Sequence, residues 1–332
     1  MFERVLNEFQ LSSKVKAIVT DNCNTMICAF ENKEGEEAEL GQFSDTDDED
    51  VLFDLTEDDL DDVASVEFGS IWSGCRGHKL QIVQRKSFNQ MKNTASLKNV
   101  LQLDKAAKRL ASVFNRTGAN KLLTSSLKQE IDIRFDSKFL LYQSIEDNIF
   151  PLRNLTNEIV SGVEELVGAI DSNYSLFNSV RLFLKKFYDT RIALSDDKQT
   201  NINLVVKSYL ELLRHCEPTE NEDSRVAILK LIFKKNLKEK YEPNEIHYRA
   251  ALLTPKFRGL KGVPNEVRSS VICKLRDELL LQSNVTIQTP ESSTPSAPID
   301  GGDSVFEDDF ALNCREEDEL GRYLQDNFSK AD

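Results

Sequence analysis

The chain has 332 residues, of which 40% are hydrophobic and 30% are charged, and its formal net charge at pH 7 is −14. This length is sufficient for two or three folding units with hydrophobic cores. Six cysteines without a repeated spacing exclude a disulfide framework and indicate reduced thiols in an intracellular protein. No apolar run approaches the roughly 18 residues of a membrane span, so no membrane partner is predicted.

The negative charge is concentrated in one segment. Residues 31–64 contain sixteen Asp or Glu and one Lys, a local charge of −15, so the rest of the chain is near +1. Charge repulsion and scarce apolar side chains predict a disordered acidic loop. Docking of its few apolar residues on a partner is the less favoured alternative.

The elements on either side of this loop alternate between helix and strand. The pattern predicts an amphipathic helix at residues 1–9, a short buried strand at residues 16–20 and a helix from Asn22 onwards. After the loop, it predicts a strand ending near residues 71–72 and a helix at residues 75–87. Residues 1–30 and 65–90 are therefore assigned to one α/β unit.

The remainder of the chain is predicted to be helical. Apolar stripes at helical spacing cover residues 152–170, 176–187, 204–213 and 267–279. They predict a helical domain at residues 91–282 whose stripes share a core and do not line a cofactor pocket. Residues 283–310, rich in Ser, Thr and Pro, are typical of a disordered linker, and a last helix is predicted within residues 311–332.

Six short blocks follow one another between residues 14 and 324. They are "KVKAIVTDNCNTM" (14–26), the acidic segment, "CRGHKLQIV" (75–83), "IRFDSKFLLYQSI" (133–145), "AALLTPKFRGL" (250–260) and "EEDELGRYL" (316–324). In this order they resemble the hAT superfamily of DNA transposases and the zinc finger BED-type proteins derived from them. Two positions depart from that pattern, since Phe135 replaces the usual Trp and Thr254 the usual Asp.

The resemblance implies a mainly α-helical protein with a partial ribonuclease-H-like α/β remnant. The acidic disordered loop would interrupt this remnant, and a large helical insertion domain would be joined to it. In the related enzymes three carboxylates hold two divalent cations that activate water. Asp21 matches the second of these carboxylates, and Asn22 stands beside it. The alternative is that either residue only caps the helix that follows.

The other two catalytic carboxylates and the BED finger have no counterpart in residues 1–332. The sequence begins after the position of the first carboxylate and ends before that of the third. A single carboxylate does not offset the repulsion between two metal ions, so Asp21 is interpreted as a vestigial metal-ligand position. The expectation is a protein that is not an enzyme and retains neither Mg²⁺ nor another cofactor. An active enzyme completed by a second chain is an open alternative.

The resemblance also implies supporting residues near Asp21, namely Asn22, Cys75, His78 and Arg134. Cys75 and His78 have the spacing of half a zinc site, but no matching pair occurs at finger spacing, so no metal site is predicted. An ordinary buried Cys beside a His at a helix end is the other alternative.

Two stretches of the chain are basic, residues 76–109 with net +8 and residues 225–262 with net +7. Clustered Lys and Arg neutralise phosphates and give sequence-independent affinity for nucleic acid. The candidate nucleic-acid-binding residues are Arg76, Lys79, Arg85, Lys86, Lys234, Lys235, Lys238, Lys256 and Arg258. Trp72, Tyr248 and Phe257 are candidates for stacking on bases. The alternative is that these are ordinary solvated helix faces.

The sequence thus predicts a nuclear, hAT-transposase-derived, catalytically inactive protein. Its expected partners are DNA and either a protein partner or further copies of itself. The alternative function is a helical protein-interaction scaffold that does not bind nucleic acid.

Overall fold

The computed structural model describes residues 8–9, 17–20, 64–65, 71–131, 135–195, 201–286 and 319–325. Within these ranges the fold is mainly α-helical. Several predicted elements lie largely or wholly outside the described residues: the helix at residues 1–9, the helix from Asn22, the acidic loop and the linker.

The described ranges contain eleven labelled α-helices. They are α1 Arg76–Lys92, α2 Lys98–Thr117, α3 Phe135–Asp147, α4 Ile149–Arg153, α5 Val163–Asp171, α6 Tyr174–Leu194, α7 Leu204–His215, α8 Ser224–Lys240, α9 Glu245–Leu252, α10 Asn265–Thr286 and α11 Glu319–Gln325. Short 3₁₀ helices at Ala95–Leu97 and Ala119–Leu122 join some of them.

Three short strands form a small sheet: β1 Ala17–Thr20, β2 Ala64–Ser65 and β3 Ile71–Gly74. The central strand β3 pairs with β1 in parallel, with Thr20 opposite Gly74, and with β2 in the antiparallel sense. Strands β1 and β3 lie at the two predicted strand positions. Strand β2 was not predicted. It begins at Ala64, the last residue assigned to the acidic loop and two residues after the acidic run ends at Asp62.

The chain divides into two compact units. Unit 1 consists of Met1–Asp196 and Glu211–Glu242, and unit 2 consists of Asp197–Leu210 and Pro243–Asp332. The predicted helical domain at residues 91–282 is therefore shared between the two units. The reason is that α8, late in the sequence, packs against α1 and α6 and so belongs with the earlier helices of unit 1.

Aromatic side chains fill the centre of unit 1. The Phe233 ring of α8 meets three others edge to face, with centroid distances of 5.9 Å to Phe88, 4.9 Å to Phe183 and 5.1 Å to Phe187. All four side chains are buried. Phe183 and Phe187 belong to the predicted stripe at residues 176–187, and this stripe is confirmed as core.

The stripe predicted at residues 152–170 is not one continuous helical face. Helix α4 ends at Arg153 and α5 begins at Val163, and Ile159 between them is 56% exposed. Asn157 and Glu164 fix the intervening turn, because each accepts a hydrogen bond from the other's backbone N–H, at 3.0 and 3.2 Å. Val160 takes the buried position in this turn.

The core of unit 2 is formed by α9, α10 and the segments around them. Its buried residues are Val206, Ala251, Leu252, Leu260, Val263, Val271, Ile272, Leu275 and Leu320. Leu279, predicted to be part of the α10 stripe, is 41% exposed, so the buried face of α10 ends near Leu275.

Candidate nucleic-acid interface

The two predicted basic stretches meet in an antiparallel pair of helices, α1 and α8. At one end of the pair, Arg76 Nη1 donates to the carbonyl oxygen of Glu242 at 3.1 Å. Gln90 lies nearer the end of α1 and Asn236 lies before the end of α8. Gln90 Nε2 donates to Asn236 Oδ1 at 3.3 Å, although the two residues are 146 positions apart in sequence. The tertiary structure therefore combines the two stretches into one part of unit 1.

A buried amide sets the position of α8 along α1. The Asn236 side chain is 0% exposed, and its Nδ2 donates to Ser87 Oγ at 2.8 Å. Ser87 Oγ in turn donates to the Val83 carbonyl at 2.7 Å within α1. Because a buried amide left unsatisfied costs about 1–3 kcal/mol, these bonds favour one register of the two helices.

This helix pair is strongly cationic. Helix α1 carries five Lys or Arg and no acidic residue, and α8 carries six Lys or Arg and one Glu, so the pair has net charge +10. Part of the charge is neutralised near the start of α8, where Lys230 pairs with Glu222 and Lys234 with Glu217. The predicted contact residue Lys234 is thus already bound to a carboxylate.

Three lysines form what we call the basic face: Lys86 of α1 with Lys235 and Lys238 of α8. Lys86 Nζ lies 3.8 Å from the carboxylate of Glu239, and Lys235 precedes Glu239 by one helical turn. Lys235 and Lys238 are exposed, and neither forms an ion pair with another residue in the described part of the chain. Two of these cations are therefore directed at solvent.

The other candidate residues on α1 differ in exposure. Arg85 is half-buried, whereas Arg76 and Lys79 are only 6% and 4% exposed. The Arg76 guanidinium lies 5.9 Å from the centroid of the Tyr241 ring. Burial, with the positive charge of Lys240 as the second cause, lowers the pKa of Lys79 to about 8. Arg76 and Lys79 therefore lie in the interior of unit 1 and are not part of the basic face.

The candidate residues of unit 2 differ in their exposure and contacts. Lys256 is exposed, but Arg258 Nη1 donates to the carbonyl oxygen of Tyr323 at 2.7 Å. Tyr248 and Phe257, predicted to stack on bases, are half-buried and pack against the unit 2 core. The core of unit 2 therefore covers part of each ring and leaves the rest exposed.

The predicted metal-ligand region is described only in part. Asp21, Asn22 and Arg134, together with the side chain of Trp72, lie outside the described residues. Cys75 follows β3 directly, is half-buried, and its carbonyl oxygen accepts from the Lys79 backbone N–H at 3.1 Å. His78 is half-buried in the first turn of α1.

The sequence interpretation missed an ion pair close to Cys75. Asp136, in the first turn of α3, lies 2.6 Å from Arg191 near the end of α6. A Cβ atom added at Gly77 would lie 3.9 Å from Arg191 Cγ and 3.7 Å from Cys75 Sγ, so the end of α6 borders the start of α1. Burial raises the pKa of the Asp136 carboxyl although the Arg191 charge opposes this shift. The sequence feature that could have identified Asp136 was its position inside the block at residues 133–145.

The described residues include no group of three or more Cys, His, Asp or Glu arranged to hold a metal ion. Cys75, Cys216 and Cys273 are free thiols. None of the helices described above is both long and apolar enough to cross a membrane.

Comparison with known proteins adds no assignment. No protein-family model matches the chain, and no curated protein matches its sequence.

Proposed function

We propose that this chain is a DNA-binding protein derived from a hAT-type transposase and that unit 1 binds the duplex through the basic face of α1 and α8. The observation that carries the proposal is the meeting of the two basic stretches in one helix pair of net charge +10. This binding requires no metal or cofactor, because Lys and Arg neutralise phosphates directly.

The contact residues follow from exposure and pairing. Lys235 and Lys238 are exposed three positions apart on α8, and Lys86 extends the face onto α1. Arg85 is a further candidate in unit 1 because its side chain reaches solvent, and exposed Lys256 is a separate candidate in unit 2. Arg76 and Lys79 are left out because they are buried, and Arg258 because it is bonded to α11.

The small sheet supports the proposed descent. Strands β1 and β3 are parallel and end side by side, with Thr20 opposite Gly74. The next residues in sequence are Asp21 and Cys75, the positions that resemble the metal-ligand and supporting blocks of the family. We interpret this sheet as a ribonuclease-H-like remnant. We further propose a nuclear location and a function without strand cleavage.

A salt titration of binding to a labelled 20-base-pair duplex tests the proposal. Each lost phosphate contact reduces the slope of log K against log[salt] by about 0.9. The double variant Lys235→Ala/Lys238→Ala should lose about two slope units and roughly tenfold in affinity per lysine at 50 mM salt. The matched control is Lys121→Ala/Lys128→Ala, which removes two exposed charges of unit 1 outside α1 and α8.

Equal losses in the two double variants would show that only net charge matters and would reject the basic face. Cleavage of the duplex in the presence of Mg²⁺, abolished by Asp21→Ala, would instead support the alternative of an active enzyme. Both measurements use the full chain.

A second candidate function, a protein-interaction scaffold, is favoured by exposed apolar side chains in unit 1. Phe150 in α4 is 75% exposed and Ile159 in the following turn is 56% exposed. Exposed apolar surface marks a protein contact site where it forms a contiguous patch. If the wild-type chain does not bind duplex DNA at 50 mM salt, the scaffold function is the better interpretation.

A further inference from the structure

Helix α11 of unit 2 contributes one side chain to the hydrophobic core although it is distant in sequence from the other core helices. Leu320 is 4% exposed. It belongs to the same buried cluster as Ala251 and Leu252 of α9 and Val271, Ile272 and Leu275 of α10. Tyr323 and Leu324 pack against this cluster from the same helix. Leu320, Tyr323 and Leu324 are thus the apolar residues by which α11 binds.

Polar contacts orient α11 on unit 2. Tyr323 Oη donates to the Leu252 carbonyl at 3.3 Å. Arg258 Nη1 donates to the Tyr323 carbonyl at 2.7 Å, and its guanidinium lies 5.6 Å from the Tyr323 ring centroid. The last four carbonyls of a helix have no partner within it, and a cation there is favourable. Arg258 therefore recognises the end of α11 as well as its aromatic side chain.

The described part of α11 is short, with seven residues. Isolated helices below about 12–15 residues are marginal in water, so the contact with unit 2 stabilises the helical state of this part. The segment from Thr286 to Glu319 has the Pro, Ser and Thr content of a linker, with Pro290, Pro295 and Pro298. A tether of this kind holds its ligand at an effective concentration on the order of 1 mM. Docking of α11 on unit 2 is then reversible, and another helix can compete with α11 for the same position.

We propose that unit 2 carries an exchangeable helix-binding groove, occupied in cis by α11 and able to bind the same segment from a second copy of the chain when its own α11 is displaced. The groove selects Leu, Tyr and Leu at positions i, i+3 and i+4 of a short helix, with Arg258 on a C-terminal carbonyl. Protein association of this chain follows from this exchange and is independent of the proposed DNA binding.

The test measures binding of a fluorescein-labelled peptide of residues 315–328 to full-length chains by fluorescence polarisation. In the wild type, α11 competes in cis at about 1 mM, so the peptide binds weakly. The variant Leu320→Asp displaces its own α11, since a charge at a buried apolar position is strongly unfavourable. It should bind the peptide about 10- to 100-fold more tightly than the wild type does.

Two controls keep the result specific. A peptide that itself carries Leu320→Asp should not bind to either chain. Should the Leu320→Asp chain fail to fold by circular dichroism, Tyr323→Ala takes its place, because Tyr323 is only half-buried and belongs to α11 and not to the groove. Equal binding of the native peptide to wild type and displaced variant, or no binding to either, would overturn the proposal.

Discussion

Lys138 Nζ lies 2.8 Å from Asp104 Oδ1, and both residues are almost fully buried, with 5% and 7% of their surface exposed. Glu130 adds a second carboxylate to Lys138 at 2.8 Å. The Phe88 ring centroid lies 4.1 Å from the same ammonium group. Tyr142 Oη donates to Asp104 at 3.3 Å. This cluster ties α3 to α2 and α1 inside unit 1.

Lys138→Met should destabilise the chain by about 3 kcal/mol, the lower end of the cost of breaking a buried ion pair. It leaves Asp104 and Glu130 with only the more exposed Lys108 as a cation, at 3.5 and 3.2 Å. The measurement is chemical denaturation at pH 7. The control is Lys185→Met, whose exposed partner Asp189 is one turn away in α6 at 3.0 Å. An exposed pair of this kind contributes no more than about 0.5 kcal/mol. Similar losses in the two variants would show that the Lys138 cluster is not a stabilising feature.

Asn236→Ala should cost about 1–3 kcal/mol, since it leaves Ser87 and Gln90 in the α1–α8 contact without their partner. The control variant is Lys235→Ala, at the exposed residue next to Asn236. It should change the free energy of unfolding by less than about 0.5 kcal/mol. The two variants are compared by thermal denaturation. An unchanged thermal stability of Asn236→Ala would argue against the register assigned to α1 and α8.

The lowered pKa of Lys79 predicts a pH dependence of stability. Its pKa is about 8 in the folded chain against 10.5 for an ordinary lysine, with burial as the main cause and Lys240 as the second. Between these values the unfolded state binds more protons, so stability rises with pH. The expected contribution is about 1 kcal/mol between pH 8 and pH 9. Lys79→Met should remove this part of the rise.

The comparison should stop at pH 9, because other groups reverse the trend above it. Burial raises the pKa of the Tyr142 hydroxyl and that of the Cys216 thiol. Stability from a raised pKa is lost as the pH passes the unfolded value, near 10 for tyrosine and 9 for this thiol. Identical slopes for wild type and Lys79→Met between pH 8 and 9 would contradict the assigned pKa of Lys79.

Cys216 should resist thiol reagents in the native state. It is 0% exposed, and burial raises its pKa from 9.0 to about 12. At pH 8 this lowers the reactive thiolate fraction by about 10³. Cys273, which is exposed, provides the internal comparison. Labelling with iodoacetamide followed by peptide mass mapping should modify Cys273 long before Cys216, and comparable rates would show that Cys216 is accessible.

From the sequence, the candidate nucleic-acid interface could be predicted only as two stretches rich in Lys and Arg. Counting Lys and Arg finds both basic stretches, but it does not separate exposed Lys235 from buried Lys79. Exposure depends on which face of a helix meets another element, and α1 and α8 are separated by more than 130 residues. The contacts of Arg258 with Tyr323 and of Tyr248 with the core of unit 2 are hidden from the sequence for the same reason.

Local periodicity was sufficient for the fold class and for most helices, because apolar spacing records which face of each helix is buried. The strands at Ala17–Thr20 and Ile71–Gly74 were also visible as short β-branched or aromatic runs. The exposed turn at Ile159 was not visible in the sequence. Its apolar residues continue the helical spacing, whereas the hydrogen bonds between Asn157 and Glu164 interrupt the helix.

The amino-acid order by itself determined the helices, the isolated acidic segment and the basic stretches, because these depend on neighbouring residues. Only the tertiary structure decided that α8 belongs beside α1, that Lys138 is enclosed by two carboxylates and that α11 docks in unit 2. Those outcomes depend on burial and charge between residues far apart in the chain, and packing in three dimensions sets both.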